Sequence, residues 1–380
     1  MRTYLDCAAT TPVDARVFDV MQPYLSTYFG NPSALYQEGR QARRAVRRAR
    51  EQVAALLCAE PDEIFFTSGG SESDNWALKG MAFALRRAGR GRHIVTTAIE
   101  HHAVLNTVRW LAGEGFDVTV LPVDRFGRVS PDAVKAAVRE DTILVSVMTA
   151  NNEVGTIEPI AEIGAFLREK GIFFHTDAVQ AAGHIPLAVG ACSVDALSLS
   201  AHKFYGPKGV GALYLRRGFT LDPLVHGGAQ ERDMRGGTEN VPGIVGLGAA
   251  AELAANTMQA EKSHLDSLWH RLADGIAAIP GSFLNGDKEH HLPGTFSFGI
   301  EGVDHEPLLI RLDMDGFSVS AGSACSAGSL EPSHVLLAMG QTKAQAASVV
   351  RVSMGRFTTR EDVDAFLTSL RRNLNAMQKA

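Results

Sequence analysis

Between about residues 60 and 215 the chain alternates short apolar runs with helix-like stretches, and this alternation limits the fold more than any other feature. Runs rich in Val, Ile and Phe stand at EIFFTSG (63–69), HIVTTAIE (93–100), DVTVLPV (117–123), TILVSVMTA (142–150) and IFFHTDAV (172–179). Helix-like stretches separate most of them, at Glu72–Arg87, Ala103–Ala112, Pro131–Arg139 and Pro159–Lys170. Strands apolar along their whole length, with a helix between one and the next, predict an α/β fold with a largely parallel sheet covered on both faces. ALSLS (196–200) and GVGALYLR (209–216) follow each other closely, so the last strand is predicted to be antiparallel.

An Ala-rich helical segment after Val245 leads into a second, smaller strand–helix pattern. It reads GTFSFGI, then Glu306–Asp313, FSVSAGS, SVVRVSM and a terminal helix from Arg360. We expect a large domain over 15–250 and a smaller one over 251–380, the latter joined by the segment 1–14. No internal repeat is visible.

A net charge of −5 on 380 residues gives no global reason to expect nucleic acid or membrane as the main partner. Arg40, Arg43, Arg44, Arg47, Arg48 and Arg50 crowd one predicted helix, which reads as a solvated or inter-subunit face rather than an RNA patch. Cys7, Cys58, Cys192 and Cys325 lie far apart with no CxxC pair, which argues against a zinc knuckle or a disulfide framework and for a reducing compartment. MRTYLDCAATTP lacks a basic-then-apolar signal pattern, and no uncharged apolar run of about 18 residues occurs, so a cytoplasmic location is expected.

Chemistry gathers where strands end. LSLSAHKFYGPKG (197–209) sets Lys203 just past a strand, beside Ser200 and His202. In open α/β sheets ligands bind at the carboxyl ends of strands. An amine there, with a hydroxyl and an imidazole, suits a Schiff base to an aldehyde cofactor carrying a phosphate; the competing reading is a solvated turn lysine. Asp177 closes the apolar run IFFHTDAVQ, where a carboxylate is costly without a cationic partner. A protonated pyridine nitrogen is such a partner, and keeping it protonated makes pyridoxal phosphate (PLP) an electron sink. The competing reading for Asp177 is a helix N-cap. Gln180, one turn on, is placed to hydrogen-bond the ring's phenolic oxygen.

FTSGGSESDN (66–75) runs from a strand through Gly69-Gly70-Ser71 into a helix, whose free N–H groups form a phosphate cradle. Neither GxxxxGK[ST] nor GxGxxG after a strand occurs, which argues against nucleoside triphosphates and dinucleotides. His101, in IEHHAV, opens a helix at the same edge, where it would stack on a flat ring and shuttle protons. Cys325 lies at the centre of SAGSACSAGS (320–329), a stretch of small residues that reads as a mobile loop over about 320–332. A thiol on such a loop can take a group from one place and present it in another.

YLDCAATTP, FGNPSALYQEG, FTSGGSESDN, EHHAVL, NNEVGT, HTDAVQ, SAHKFYGPKGVGALYLRRG, RGGTEN, SACSAGSLEPSHVL and RVSMGRFTT occur in that order over nearly the whole length. Together they resemble the cysteine desulfurases of the NifS/IscS type. The resemblance implies the PLP-dependent transferase fold of type I, with a mostly parallel seven-stranded sheet in the large domain and a smaller α/β domain. It also implies a homodimer that converts L-cysteine to L-alanine and carries the sulfur as an enzyme persulfide. An iron–sulfur scaffold or another sulfur-acceptor protein would receive it, with no membrane or direct nucleic-acid binding.

On that resemblance Lys203 would be the Schiff-base lysine, Asp177 would face the pyridine nitrogen, Gln180 the ring oxygen, and His101 would stack. Gly70, Ser71, Ser200 and His202 would hold the phosphate, with Thr238 reaching over from the other subunit. Asn152 and Arg351 would orient the substrate carboxylate, a task that suits a guanidinium fork. Cys325 would accept the sulfur and, through its persulfide, ligate a transient [2Fe-2S] cluster shared with a scaffold. The rival readings are another enzyme of the same fold (an aminotransferase or a selenocysteine or cysteine lyase) and a non-catalytic iron–sulfur assembly factor. Departures from the family pattern are Ala201 for Gly in SGHK, Gly70-Ser71 for a small residue and Thr, Cys7 in YLDxAATTP, and Ala229 and Asp233 for glycines. Cys7 reads as a small buried side chain. The chain ends at Ala380, shorter than in the IscS branch, which bears on how a scaffold would dock.

Overall fold

The alternating runs assemble into one seven-stranded sheet in the computed structural model, which describes residues 2–322 and 332–377. In chain order the strands are β1 (Thr3–Tyr4), β2 (Ile64–Thr67), β3 (His93–Thr97), β4 (Asp117–Leu121), β5 (Thr142–Ser146) and β6 (Phe173–Asp177). There follow β7 (Ala196–Ser200), β8 (Gly211–Leu215), β9 (Ser282–Asn285), β10 (Thr295–Ile300), β11 (Phe317–Ser318) and β12 (Val349–Ser353). The large sheet has the order β2-β8-β7-β6-β5-β3-β4. β8 runs antiparallel to both its neighbours and the other pairs are parallel, as the spacing of the last two runs predicts. β2, β3, β5, β6, β7 and β8 are buried at every residue, whereas the edge strand β4 is partly exposed. Double-sided burial is why the runs are continuously apolar instead of alternating.

Helix ends follow local chemistry. Helix Gly70–Arg87 starts two residues before the expected Glu72, because Gly69 (φ 154°) makes the sharp turn out of β2. Helix Pro131–Ala137 stops short of the expected Arg139, whose N–H donates to Thr142 Oγ1 (2.8 Å) instead of continuing the ladder. The expected strand in FSVSAGS shrinks to the two residues of β11, paired parallel with β1. Beyond them Ser320 turns away to bridge Arg351.

Helix Val241–Ala277 spans two cores. Its first half puts Ile244, Leu247, Ala251 and Ala254 into the core under the large sheet. Its second half puts Leu265, Leu268, Leu272 and Ile276 into a smaller core with β10, β12 and helix Arg360–Met377, which Leu5 also enters. Residue 250, the expected end of the first domain, therefore lies in mid-helix. Against the first half packs helix Gln37–Leu57, with Ala42, Val46, Ala49 and Val53 on its buried stripe. The approach is close: a Cβ on Gly248 would stand 2.6 Å from Ala49 Cα.

The arginine-rich face is not wholly solvated. Arg40, Arg43, Arg44, Arg47 and Arg48 are exposed, but Arg50 is largely buried and forms an ion pair with buried Glu231 at 2.8 Å. Glu231 also accepts from Phe66 N (3.0 Å). It opens a run of three left-handed residues: Glu231 (φ 45°), Arg232 (φ 60°) and Asp233 (φ 64°). L-residues pay for this conformation and glycine does not, which gives the Asp233 departure a consequence. Ala229, at φ −76°, needs no glycine. Asp233→Gly is predicted to stabilise the protein by roughly 1 kcal/mol and Asp233→Val to destabilise it by at least as much. Thermal unfolding of the two variants checks this, and a lower Tm for Asp233→Gly would contradict the left-handed run.

Candidate active site

Because β2, β3, β5, β6 and β7 are mutually parallel, their carboxyl ends share one edge of the sheet. There the segments that follow them enclose a cavity of about 200 Å³. After β2 come Gly70 and Ser71, in the first turn of a helix whose leading N–H groups have no intrahelical partner. A Cβ on Gly70 would stand 2.5 Å from Val179 Cγ2, so this wall admits only glycine without displacing Val179. After β3 comes His101, the N-cap of helix His102–Gly113. Its Nδ1 accepts from Ala103 N at 3.1 Å, which places the proton of the neutral ring on Nε2.

Asp177 ends β6 fully buried, and Val179 N donates to its Oδ1 at 2.9 Å. The bond is a local turn; residues 178–184 form no helix, so helix capping does not account for this carboxylate. Burial raises the pKa of Asp177 above the usual carboxylate range, while His101 and Lys203 pull it back. Past β7, Ser200, His202 and Lys203 sit at the start of a short 3-10 turn. Lys203 Nζ donates to Ala8 O (2.6 Å) and Ala9 O (3.0 Å), and Gln180 Nε2 donates to Ala8 O (2.9 Å). His202 Nδ1 lies 3.1 Å from Thr10 Oγ1, and burial together with the charges of Lys203 and Lys208 pushes its pKa down to about 4. His202 is therefore a neutral donor or acceptor at physiological pH, not a cation.

From the smaller sheet, Arg351 on β12 reaches the same cavity while almost wholly buried. Its Nη1 donates to Asn152 O and its Nη2 to Asp6 Oδ1, both at 2.8 Å, and its Nε has no hydrogen-bond partner among the described residues. A buried guanidinium lining the cavity, with its hydrogen-bonding capacity not filled, suits an incoming carboxylate.

The structure thus brings together Gly70, Ser71, His101, Asn152, Asp177, Gln180, Ser200, His202, Lys203 and Arg351. Thr238 is elsewhere, on a separate cavity of about 250 Å³ beside Ser68 and Gly209. Cys325 lies outside the described residues. Cys7 faces away, towards Gly355 and Tyr205; burial and the nearby Asp6 and Glu261 push its thiol up to about 12, which leaves it inert. The sequence reading missed Ala8, Ala9, Asp6 and Asp74, although YLDCAATTP and SESDN were both on display. A larger cleft of about 500 Å³ opens on the amino side of β5 and β6. Of its four basic residues Arg90, Lys135, Arg139 and Lys170, Lys135 and Arg139 pair with Asp132, Glu162, Asp117 and Asp141.

Comparison with known proteins bears on this geometry. The class-V aminotransferase family profile matches residues 3–366. A cysteine desulfurase IscS from Methanosarcina thermophila is 53% identical over 364 residues, covering 96% of this chain and 90% of that protein. A solved NifS-like protein superposes with a TM-score of 0.93 at 40% identity, over 99% of this chain and 100% of its own. The structure described as SspA in complex with cysteine has a TM-score of 0.83 at 39% identity, over 94% of this chain and 100% of its own.

The crowding at Gly70 yields a two-step test. Gly70→Ala is predicted to weaken uptake of PLP about tenfold or more, and adding Val179→Ala is predicted to recover most of the loss by making room for the methyl group. Titration of the cofactor's absorbance reads both; no recovery in the double variant would mean that crowding against Val179 is not the cause.

Proposed function

The chain belongs to the class-V aminotransferase family and is a PLP-dependent cysteine desulfurase, and from that premise we propose how its own residues carry the reaction. One observation supports the reading most: a single cavity is lined by a lysine, a strand-end carboxylate, a helix start and a buried arginine with a spare N–H. These groups fit PLP: Gly70 and Ser71 with Ser200 and His202 for the phosphate, Asp177 for the ring nitrogen, Gln180 for the ring oxygen and His101 beside the ring. When bound, PLP supplies an aldehyde for amines and a ring that takes up the electrons released at the substrate's α-carbon.

Arg351, fixed by Asp6 and Asn152, binds the carboxylate of L-cysteine and so orients its α-carbon. Lys203 would hold the aldehyde, and its amine is the base that removes the α-proton of the substrate. Asp177 would keep the ring nitrogen protonated. The thiolate of Cys325 then forms a bond to the substrate sulfur; the carbon–sulfur bond breaks, and its electron pair stays with the carbon fragment. Protonation, aided by His101, releases L-alanine and leaves the persulfide on Cys325.

Thr238 lines no part of its own chain's cofactor cavity, which agrees with a role across a homodimer. The exposed apolar residues Leu25, Phe29, Leu35 and Tyr36 are of the kind a partner subunit covers. We read the molecule as two domains, 15–250 and 251–380 with 1–14. Among the described residues no helix is long and apolar enough to cross a membrane. We place the protein in the cytoplasm, passing sulfur to an iron–sulfur scaffold or other acceptor protein, with a transient [2Fe-2S] cluster on Cys325 as one route.

Cys325→Ala is predicted to abolish persulfide formation and most alanine production while leaving the bound cofactor's colour intact. Labelled cysteine and alanine analysis measure this. Full turnover in the variant would overturn the sulfur-transfer role and favour a lyase or aminotransferase.

A further inference from the structure

Helix Gly70–Arg87 lays Asp74 against the face of the sheet on which β5, β6 and β7 present Ser146, His175 and Ser198. All four side chains are buried, and His175 and Asp177, two apart on β6, project from the same face. Ser146 Oγ lies 2.9 Å from His175 Nδ1, His175 Nε2 lies 3.0 Å from Ser198 Oγ, and Ser198 hydrogen-bonds Asp74. The chain of contacts ends there. Asp74 Oδ1 has no hydrogen-bond partner among the described residues, and His175 Nε2 stands off it at 3.6 Å. One oxygen each of Asp74 and Asp177 and a ring nitrogen of His101 lie within 4.8 Å of one another.

Two carboxylates this close and this buried do not both ionise; the pair keeps one proton. Which member keeps it follows from the surroundings. His101 lies near an oxygen of each and does not separate them. Asp177 has Lys203 to favour its charge and accepts from Val179 N. Asp74 Oδ1 has no such donor among the described residues, and Asp74 faces Asp177, the carboxyl of Glu100, and His175, whose own burial holds it neutral with a pKa of about 3.

We propose that Asp74 is a positioning residue that acts through Asp177: it holds the proton of the buried carboxyl pair and so confines the pair's single negative charge to the oxygen that meets the cofactor's ring nitrogen. This rests on the reading of the cavity as a PLP site. An ionised Asp74 would place a second negative charge behind the ring and draw protons towards it. A protonated one leaves Asp177 as the sole anion there and fixes it on the ring side. Burial supports the same division, raising Asp74 well above the usual carboxylate range. The groups that face the pair are Asp177 and His175 from β6, Glu100 and His101 after β3, and Lys203 after β7.

The sign of the pH dependence follows. As pH rises far enough, Asp74 loses its proton, and the added charge shifts the titration of the bound cofactor. The test compares wild-type holoenzyme with Asp74→Asn, which carries no charge at any pH, and with Asp74→Ser in case the amide disturbs folding. The absorbance of the bound cofactor is followed against pH. An alkaline step in the wild type that is absent from the variants, or moved by about one unit or more, supports the proposal. Infrared difference spectra of wild type against variant at neutral pH should show loss of a protonated carboxylic-acid band. Superimposable pH titrations, or loss of an ionised carboxylate band instead, would overturn it even where Tm changes. Failure of the PLP reading itself would show differently, as wild-type protein that takes up no cofactor.

Discussion

The segment from Thr3 to Asp14, with a turn at residues 7–9, is what holds the site together. It runs between the two cores, and many of its backbone groups make contacts distant in sequence. Thr3 and Leu5 donate to Gly316 and Ser318, and Ser353 N donates back to Leu5 O. Further on, Thr11 N donates to His202 O and Asp14 N to Tyr205 O. Between these anchors Ala8 and Ala9 offer their carbonyls to Lys203, and Asp6 offers its carboxylate to Arg351. Lysine comes from the large sheet and arginine from the small one, so this segment sets the distance between the two groups that must act on one substrate.

Such a strap suits a cavity at a junction because it has no fold of its own to satisfy. A helix would consume its carbonyls internally, whereas the turn at residues 7–9 leaves those of Ala8 and Ala9 to Lys203. The small side chains of Ala8 and Ala9 let the backbone come close to Lys203. Asp14 then locks the far end by accepting from Arg16 and Arg356, and this pairing holds its carboxyl well below the usual range. Arg356 also pairs with Glu261 of the long helix, which ties the strap to the element shared by both cores.

Much of this was legible in the sequence, for a physical reason. Double-sided burial writes itself into a strand as an unbroken apolar run, so the large sheet, its parallel sense and the turn-back at β8 could be read directly. Site residues at strand ends were legible because a lysine or aspartate following an apolar run is costly without a partner. Asp74 was not, since a carboxyl inside a helix looks like a surface residue until the packing face is known. Nor was Asp6: its partner Arg351 is distant in the chain, and the pairing exists only because β12 lies beside the strap. The left-handed run at Glu231–Asp233 was equally hidden, because backbone sign leaves no mark on residues other than glycine.

The two ends of the cavity treat charge in opposite ways, and this alone orients what enters. At one end Arg351 meets a single ionised partner, Asp6, through Nη2. The other acid nearby, Glu153, is buried and accepts from Ser333; burial raises its pKa, and Ser333 and Arg351 pull it back. An anionic group is therefore drawn to that end. At the other end Asp177 and Asp74 line the cavity, with Glu100 nearby and pushed up to about 8 by burial. The single charge assigned to Asp177 favours a cation there. A carboxylate held by Arg351 and a ring nitrogen held by Asp177 would fix which way a bound molecule lies. Lys203, which the strap holds through Ala8 O and Ala9 O, lines the same cavity and would serve as the base at the α-carbon.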